Sequence, residues 1–232
     1  MTCCTNNEMS NDFYPLGDLL ITPRNCLPDV MDKYVYPVVP GTEEWNAASE
    51  EEKEMLCQLP EDRIKTLSTY ALIRSLMDKP LLWNYYLSSN ASPVVSCDRF
   101  IFSRHNSVPE FEKRNNRVQA LLSYYAAVCF DCYESLDTGE RINFNIQLCV
   151  LEVWFVRDAI LHSMNTVQKK QAVSLLLQKY EQSPLYSDAS LVAMIWIMYD
   201  DLYPPIMALP KDVPFNAGQR NDIISFAKSY TH

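Results

Sequence analysis

Apolar residues recur at steps of three and four along most of the chain, which is the spacing of one face of an α-helix. The pattern is densest after Gly139, where two apolar stripes run side by side. The first stripe consists of Ile142, Ile146, Cys149, Val153, Val156 and Ile160, and the second of Phe144, Leu148, Leu151 and Phe155. A helix that is apolar on two sides belongs in the centre of a bundle. We therefore predict that residues 142–160 form the central helix.

Polar residues mark where several helices begin. Ser49 has the capping-box spacing to a glutamate three positions later, and Ser68, Ser107 and either Asn165 or Thr166 precede other apolar segments. Alternating apolar and polar residues, which would indicate strands, form no convincing segment. The predicted fold class is all-α, as an irregular multi-helix bundle of about seven to nine helices.

The first 40 residues differ from the rest, because they contain five prolines and a polar opening but no helical periodicity. Proline lacks the N–H that a helix or a central strand requires. We predict a flexible leader and an extended arm over residues 1–40, followed by a single helical domain over residues 41–232. Tyr34, Val35 and Tyr36 are expected to dock the arm.

The charge pattern argues against a nucleic-acid partner. The net charge is −9 and the 20 basic residues are scattered, whereas nucleic-acid-binding proteins concentrate lysine and arginine on one face. The four glycines lie too far apart for a phosphate-binding loop. The most apolar stretch, Leu191–Tyr199, is shorter than the ~20 residues that span a bilayer, so we expect no transmembrane segment.

Two of the eight cysteines form a C-x-x-C motif, Cys129-Phe130-Asp131-Cys132. A redox pair of this kind usually opens a helix, whose N-terminus stabilises the thiolate. Here both cysteines continue the apolar stripe of a predicted helix. Core packing is therefore the favoured interpretation, and a redox or disulfide pair is the alternative. A metal site is least favoured, because neither a second C-x-x-C nor a nearby histidine completes a ligand set.

Two pairs of residues that include aspartates are also candidates for a functional role. Asp158 and His162 share a helix face at a spacing of four, which most often gives a surface ion pair. Asp200 and Asp201 are candidates for binding a cation, but acidic residues at a helix end are usually solvated. We therefore expect no catalytic residue, no cofactor and no metal.

Aromatic residues are frequent, with 14 tyrosines, nine phenylalanines and four tryptophans. We expect about two-thirds of them to lie in the core and a minority to form a concave patch that binds protein, peptide or glycan. The leading hypothesis is a non-enzymatic interaction or ligand-binding helical module. The alternative is an enzyme, either a hydrolase or a thiol redox protein, whose site is assembled from distant segments.

Four short motifs resemble those of an all-helical family of gut bacteria that has no established activity. They are P-G-T-E-E-W at Pro40–Trp45, C-Q-L-P at Cys57–Pro60, S-T-x-x-L at Ser68–Leu72 and P-L-L at Pro80–Leu82. The resemblance is good over about 50 residues and looser to about residue 202. It implies a helical fold, and no site residue can be carried over from it.

Members of that family often look secreted or lipid-anchored, with a cysteine followed by a polar tether. Cys3 and Cys4, followed by Thr-Asn-Asn-Glu, are similar to such a start. The apolar segment of a lipoprotein signal is missing from this chain. One interpretation is a trimmed precursor of a cell-envelope protein, anchored peripherally to the membrane through one of these cysteines. The other is a cytoplasmic protein.

Overall fold

Helices make up most of the chain that the computed structural model describes, which is residues 19–20, 26–82, 93–183, 188–202 and 215–232. They are α1 (Glu43–Ala47), α2 (Glu50–Leu56), α3 (Glu61–Ile64), α4 (Thr69–Met77), α5 (Pro93–Phe100), α6 (Ser107–Lys113), α7 (Arg117–Ala126), α8 (Thr138–Trp154), α9 (Asp158–Leu161), α10 (Thr166–Gln182), α11 (Asp188–Leu202) and α12 (Ala217–Thr231). A two-stranded antiparallel sheet pairs β1 (Leu19–Leu20) with β2 (Asp29–Val30). The all-α bundle is confirmed. Within the described ranges, no helix is both long and apolar enough to cross a membrane.

Most of the predicted helix caps are confirmed. Ser49, Ser68 and Asn165 each accept a hydrogen bond from the backbone N–H three residues later, at 3.3, 3.1 and 2.9 Å. Such a cap typically stabilises a helix by about 1 kcal/mol. The cap predicted at Ser107 is wrong, because Ser107 is the first residue of α6 and its hydroxyl contacts the imidazole of His105.

The predicted central helix is confirmed over α8 and corrected at both ends. Nearly every residue from 144 to 154 is buried, and α8 packs against α5 and α11. Ile142 is 43% exposed, because the first turns of α8 extend beyond the bundle. After Trp154 the chain turns and Ile160 lies on the separate helix α9. The turn brings the guanidinium of Arg157 onto the carboxylate of Glu112, a distant contact that no apolar pattern reveals.

Helix α7 ends at Ala126, earlier than the apolar pattern predicts. Cys129 and Cys132 therefore do not continue a helical stripe, and that part of the prediction is wrong. The buried ammonium of Lys179, on α10, donates hydrogen bonds to the carbonyls of Ala126 and Val128. A cation at a helix C-terminus satisfies carbonyls that have no partner within the helix. The α10 contact thus stabilises the end of α7.

The arm docks through Tyr36 and Tyr34, as predicted, but not through Val35. Tyr36 is buried in the main core, and the ring of Tyr34 packs edge-on against it at 5.0 Å between centroids. Val35 is 73% exposed, because alternate side chains of an extended segment point in opposite directions. Two neighbouring aromatic anchors on one segment therefore face the same side of the arm.

The carbonyl of Pro28 supplies a further anchor for the arm. It accepts hydrogen bonds from the hydroxyl of Tyr124, on α7, and from the guanidinium of Arg74, on α4. The leader predicted upstream falls mainly on residues 1–18 and 21–25, which lie outside the described residues. The predicted domain boundary at residue 40 stays a prediction.

Candidate functional site

A disulfide joins Cys26 in the arm to Cys132 in the turn after α7, across 106 residues of sequence. The motif Cys129–Cys132 is thus not bonded internally, and Cys129 remains a thiol. Cys129 lies beside the disulfide, since its backbone N–H donates to the carbonyl of Cys26 at 2.9 Å. No motif in the sequence identifies Cys26 as the partner of Cys132. With eight cysteines, spacing alone leaves many pairings open.

The thiols of Cys57, Cys97 and Cys149 are buried elsewhere in the helical part of the chain. Burial raises the pKa of Cys57 to about 11, against the opposing effect of the Lys79 ammonium. Burial also raises the pKa of Cys97, and the neighbouring Cys149 adds to this effect. Because the thiolate is the reactive form, Cys57 and Cys97 are unreactive near neutral pH. Cys129, which is half-buried, is the more accessible thiol.

A buried chain of hydrogen bonds connects the arm to α4 and α6. The hydroxyl of Tyr36 donates to the carbonyl of Ser75 at 2.8 Å, so it accepts from Nε2 of His105, also at 2.8 Å. This assigns the proton of the neutral imidazole to Nε2. Nδ1 is then an acceptor, and the hydroxyl of Ser107 donates to it at 2.6 Å.

The contact between Ser107 and His105 resembles a nucleophile–base pair, but its surroundings indicate a structural role. Ser107 is fully buried and His105 is 2% exposed, so a substrate has no access to the hydroxyl. Burial, followed by the charge of Lys79, lowers the pKa of His105 to about 3. A general base that works near neutral pH needs a pKa close to that value. The network therefore holds the arm in place.

Asp158 and His162 do not form the predicted surface ion pair. The Nε2 atom of His162 lies 3.6 Å from the carboxylate of Asp200, on α11, rather than beside Asp158. Asp200 also accepts a 2.7 Å hydrogen bond from the ammonium of Lys169. The side chain of Asp201 lies outside the described residues. Among the described residues, no three histidine, cysteine or acidic side chains form a group that fits a metal ion.

A groove of about 440 Å³ lies between α1 and α2. Its lining is Glu44, Ala47, Ala48, Glu52, Met55 and Leu56, and we call it the acidic groove. Met55 is 66% exposed, so its thioether side chain is available for contact. Hydrogen bonds from Ser49 lower the pKa of Glu52, which keeps this carboxylate ionised. The groove thus combines an apolar lining with negative charge.

The acidic groove rests on a small apolar cluster that is separate from the main core. The cluster contains Val38, Trp45, Cys57 and Leu81, and Leu56 packs against it. The buried indole of Trp45 attaches α1 to this cluster. The capping box at Ser49 fixes the start of α2. The α1 wall of the groove is therefore held by this cluster, and the start of the α2 wall by a local cap.

Much of the negative charge of the chain lies on the sequence segment that contains α1, α2 and α3. Residues 43–62 contain eight acidic side chains and one lysine, a net charge of −7 out of −9 for the whole chain. Two of these acidic residues have cationic partners: Glu50 pairs with Lys53 at 2.8 Å, and Glu54 pairs with Lys79 at 3.0 Å. Glu43, Glu44 and Glu51 are exposed. These exposed carboxylates make the potential at the rim negative.

The aromatic residues are used mainly in the core, as expected. Of the 20 aromatic residues whose burial is described, 13 are buried and only Phe226 is exposed. Many pair with one another, as Phe111 and Trp154 do at 4.6 Å between ring centroids. Methionine, alanine and leucine, rather than aromatic residues, form the apolar lining of the acidic groove. The predicted concave aromatic patch stays a prediction.

Two other clefts are lined by polar groups that already bind one another. In the first, of about 420 Å³, Arg157 pairs with Asp98 and Glu112. In the second, of about 620 Å³, the guanidinium of Arg117 donates to the hydroxyl of Ser163 at 2.6 Å. Their principal polar groups are engaged internally, so these clefts are weaker candidates than the acidic groove.

No known protein family matches the chain, and no curated protein or solved structure matches it significantly. The resemblance to the gut-bacterial family stays a prediction.

Proposed function

We propose that the protein is a non-enzymatic interaction module that binds a basic, amphipathic segment of a partner protein in the acidic groove. The observation that carries this proposal is the exposed side chain of Met55, which lines the same groove as two glutamates, Glu44 and Glu52. An apolar side chain of the partner would fill the groove, and flanking lysines or arginines would face the rim.

Both parts of the groove favour such a ligand physically. Methionine is flexible and polarizable, so it adapts to apolar side chains of different shape. Burying one leucine-sized side chain contributes about 1.5–3 kcal/mol. The rim charge increases the association rate, although salt screens it. We therefore expect modest affinity, fast association and a marked dependence on ionic strength.

The other partner classes fit the groove less well. The net charge of −7 over residues 43–62 repels polyanions such as nucleic acids. Glycan-binding sites usually offer an aromatic surface, whereas alanine, methionine and leucine line this groove. Of the protein, peptide and glycan partners predicted from the sequence, a basic protein or peptide segment is the one that the lining favours.

The experiment is a titration of the full chain into a fluorescent amphipathic helix of about 15 residues, built from lysine and leucine, with anisotropy as the readout. Met55→Gln and Glu44→Gln should each weaken binding by about three- to tenfold, and 1 M salt should weaken it further. Val167→Gln and Asp222→Asn are matched controls, because they change an exposed apolar and an exposed acidic residue on other helices.

Two further peptides make the result decisive. A scrambled peptide of the same charge should bind more weakly, because its leucines no longer share one face. A helix in which glutamate replaces lysine should not bind. If Met55→Gln and Val167→Gln bind the original peptide equally well, the groove is not the site and the proposal fails.

The disulfide supports a second proposal, on location. Structural disulfides persist in oxidising compartments and are rare in the reducing cytosol. The bond between Cys26 and Cys132 therefore favours the cell-envelope interpretation over the cytoplasmic one. Lipid attachment at Cys3 or Cys4 stays a prediction, since both lie outside the described residues. Cell fractionation tests the proposed location. If the protein is cytosolic and all its cysteines are reduced, this proposal fails.

A further inference from the structure

Both half-cystines of the disulfide contact the backbone of the same third cysteine. The N–H of Cys129 donates to the carbonyl of Cys26 at 2.9 Å, and the sulfur of Cys132 lies 3.8 Å from the carbonyl oxygen of Cys129. Three cysteines distant in the sequence are thus gathered at one turn. This arrangement is independent of the acidic groove.

The three residues differ in their access to solvent. Cys26 and Cys132 are 5% and 4% exposed, whereas Cys129 is half-buried. A reductant in solution therefore has poor access to the disulfide sulfurs. Cys129 is tethered only three residues from Cys132, and a nucleophile held this close has a high effective concentration.

We propose that these three cysteines form an intramolecular thiol–disulfide exchange site. Cys129 loses its proton to water or hydroxide, and its thiolate attacks the sulfur of Cys132. The new bond joins Cys129 to Cys132 while the bond between Cys26 and Cys132 breaks. Cys26 leaves with the electron pair as a thiolate and takes up a proton. One thiol and one disulfide are present before and after the step, so it requires neither oxidant nor reductant.

The exchange changes which segments are covalently linked. In one isomer the disulfide ties the arm to the turn after α7, and in the other it closes only the short loop from Cys129 to Cys132. Contacts of the folded arm, including the Pro28 carbonyl with Tyr124, favour the first isomer. The second isomer is therefore the minor one, and an alkylating reagent that traps the Cys26 thiol reveals it.

The test is native-state alkylation of the full chain in a Cys3→Ser/Cys4→Ser background, followed by peptide mapping that keeps disulfides intact. We expect a product with alkylated Cys26 and a bond between Cys129 and Cys132. Its rate of formation should rise with pH, because the thiolate is the attacking species. Cys129→Ser and Cys129→Ala should each reduce alkylation of Cys26 by about tenfold or more.

Glu134→Gln is the matched control, since it changes an exposed side chain near the same turn and keeps all three cysteines. It should show the same trapping rate as the parent chain. The proposal is overturned if Cys26 is alkylated equally fast without Cys129, or if the mapped bond joins Cys26 to Cys129. Failure to find the Cys129–Cys132 bond in the native protein overturns it as well. None of these outcomes affects peptide binding in the acidic groove.

Discussion

The hydroxyl of Tyr36 lies 2.8 Å from Nε2 of His105, and this contact joins the N-terminal arm to the start of α6. The same hydroxyl donates to the carbonyl of Ser75, on α4. One buried oxygen therefore connects three segments that are far apart in the sequence. Because every polar group in this hydrogen-bond network has a partner, removing one group leaves its neighbours without a hydrogen bond.

Tyr36→Phe should lower the free energy of unfolding by about 1–3 kcal/mol, because the N–H of His105 and the carbonyl of Ser75 each lose a buried partner. Urea denaturation followed by circular dichroism measures the change. Tyr34→Phe is the control, since Tyr34 is only partly buried. Equal effects of the two substitutions would contradict the assigned role of the Tyr36 hydroxyl.

Acid should destabilise the protein through His105. Its pKa is lowered to about 3 by burial and by Lys79, below the ordinary value of 6.5. Between these values the unfolded chain binds a proton that the folded chain does not. The stability contributed by neutral His105 is therefore present above pH 6.5 and falls by about 1.4 kcal/mol per unit as the pH drops toward 3.

His105→Gln tests this assignment, because glutamine keeps a hydrogen-bonding side chain but does not titrate. Unfolding free energies measured between pH 7.5 and about pH 4.5 should depend less steeply on pH in the variant than in the parent chain. Val167→Gln, which keeps every histidine, should retain the parent slope. An unchanged slope in His105→Gln would show that other groups control the acid sensitivity.

Tyr125 should stabilise the core through its hydrogen bond to the buried side chain of Glu152. Its hydroxyl donates to Glu152 at 3.0 Å, and the hydroxyl of Ser190 donates to the same oxygen. Removing one partner of a buried hydrogen bond costs about 1–3 kcal/mol, so Tyr125→Phe should lower the free energy of unfolding by that amount. Thermal and urea unfolding measure it, and Ser174→Ala at an exposed position of α10 is the control. A loss below about 0.5 kcal/mol would contradict the prediction.

Lys179→Met should loosen the end of α7. The substitution keeps an apolar stem but removes the ammonium that binds the carbonyls of Ala126 and Val128. We expect a loss of about 1–3 kcal/mol and faster hydrogen exchange in the last turn of α7. Lys170→Met, at a less buried position of the same helix, is the comparison. Unchanged hydrogen exchange in the last turn of α7 would show that another contact determines where the helix ends.

Short-range features of the fold were predictable because their causes are local. The caps at Ser49, Ser68 and Asn165 depend on residues three positions apart, and the burial of α8 follows from its own apolar periodicity. The acidic charge of residues 43–62 can also be read from the sequence. The groove itself depends on how α1 and α2 pack side by side.

Tertiary structure decided the rest, because the partners are distant in the chain. The end of α7 depends on Lys179, the docking of the arm on His105, and the bonding of Cys132 on Cys26. No periodicity encodes a contact across 50 or more residues, since any of several cysteines or lysines satisfies the same local pattern. The amino-acid sequence by itself thus determined where helices begin and which faces they bury. Packing alone determined which polar and sulfur atoms meet, because that depends on distances set by the whole bundle.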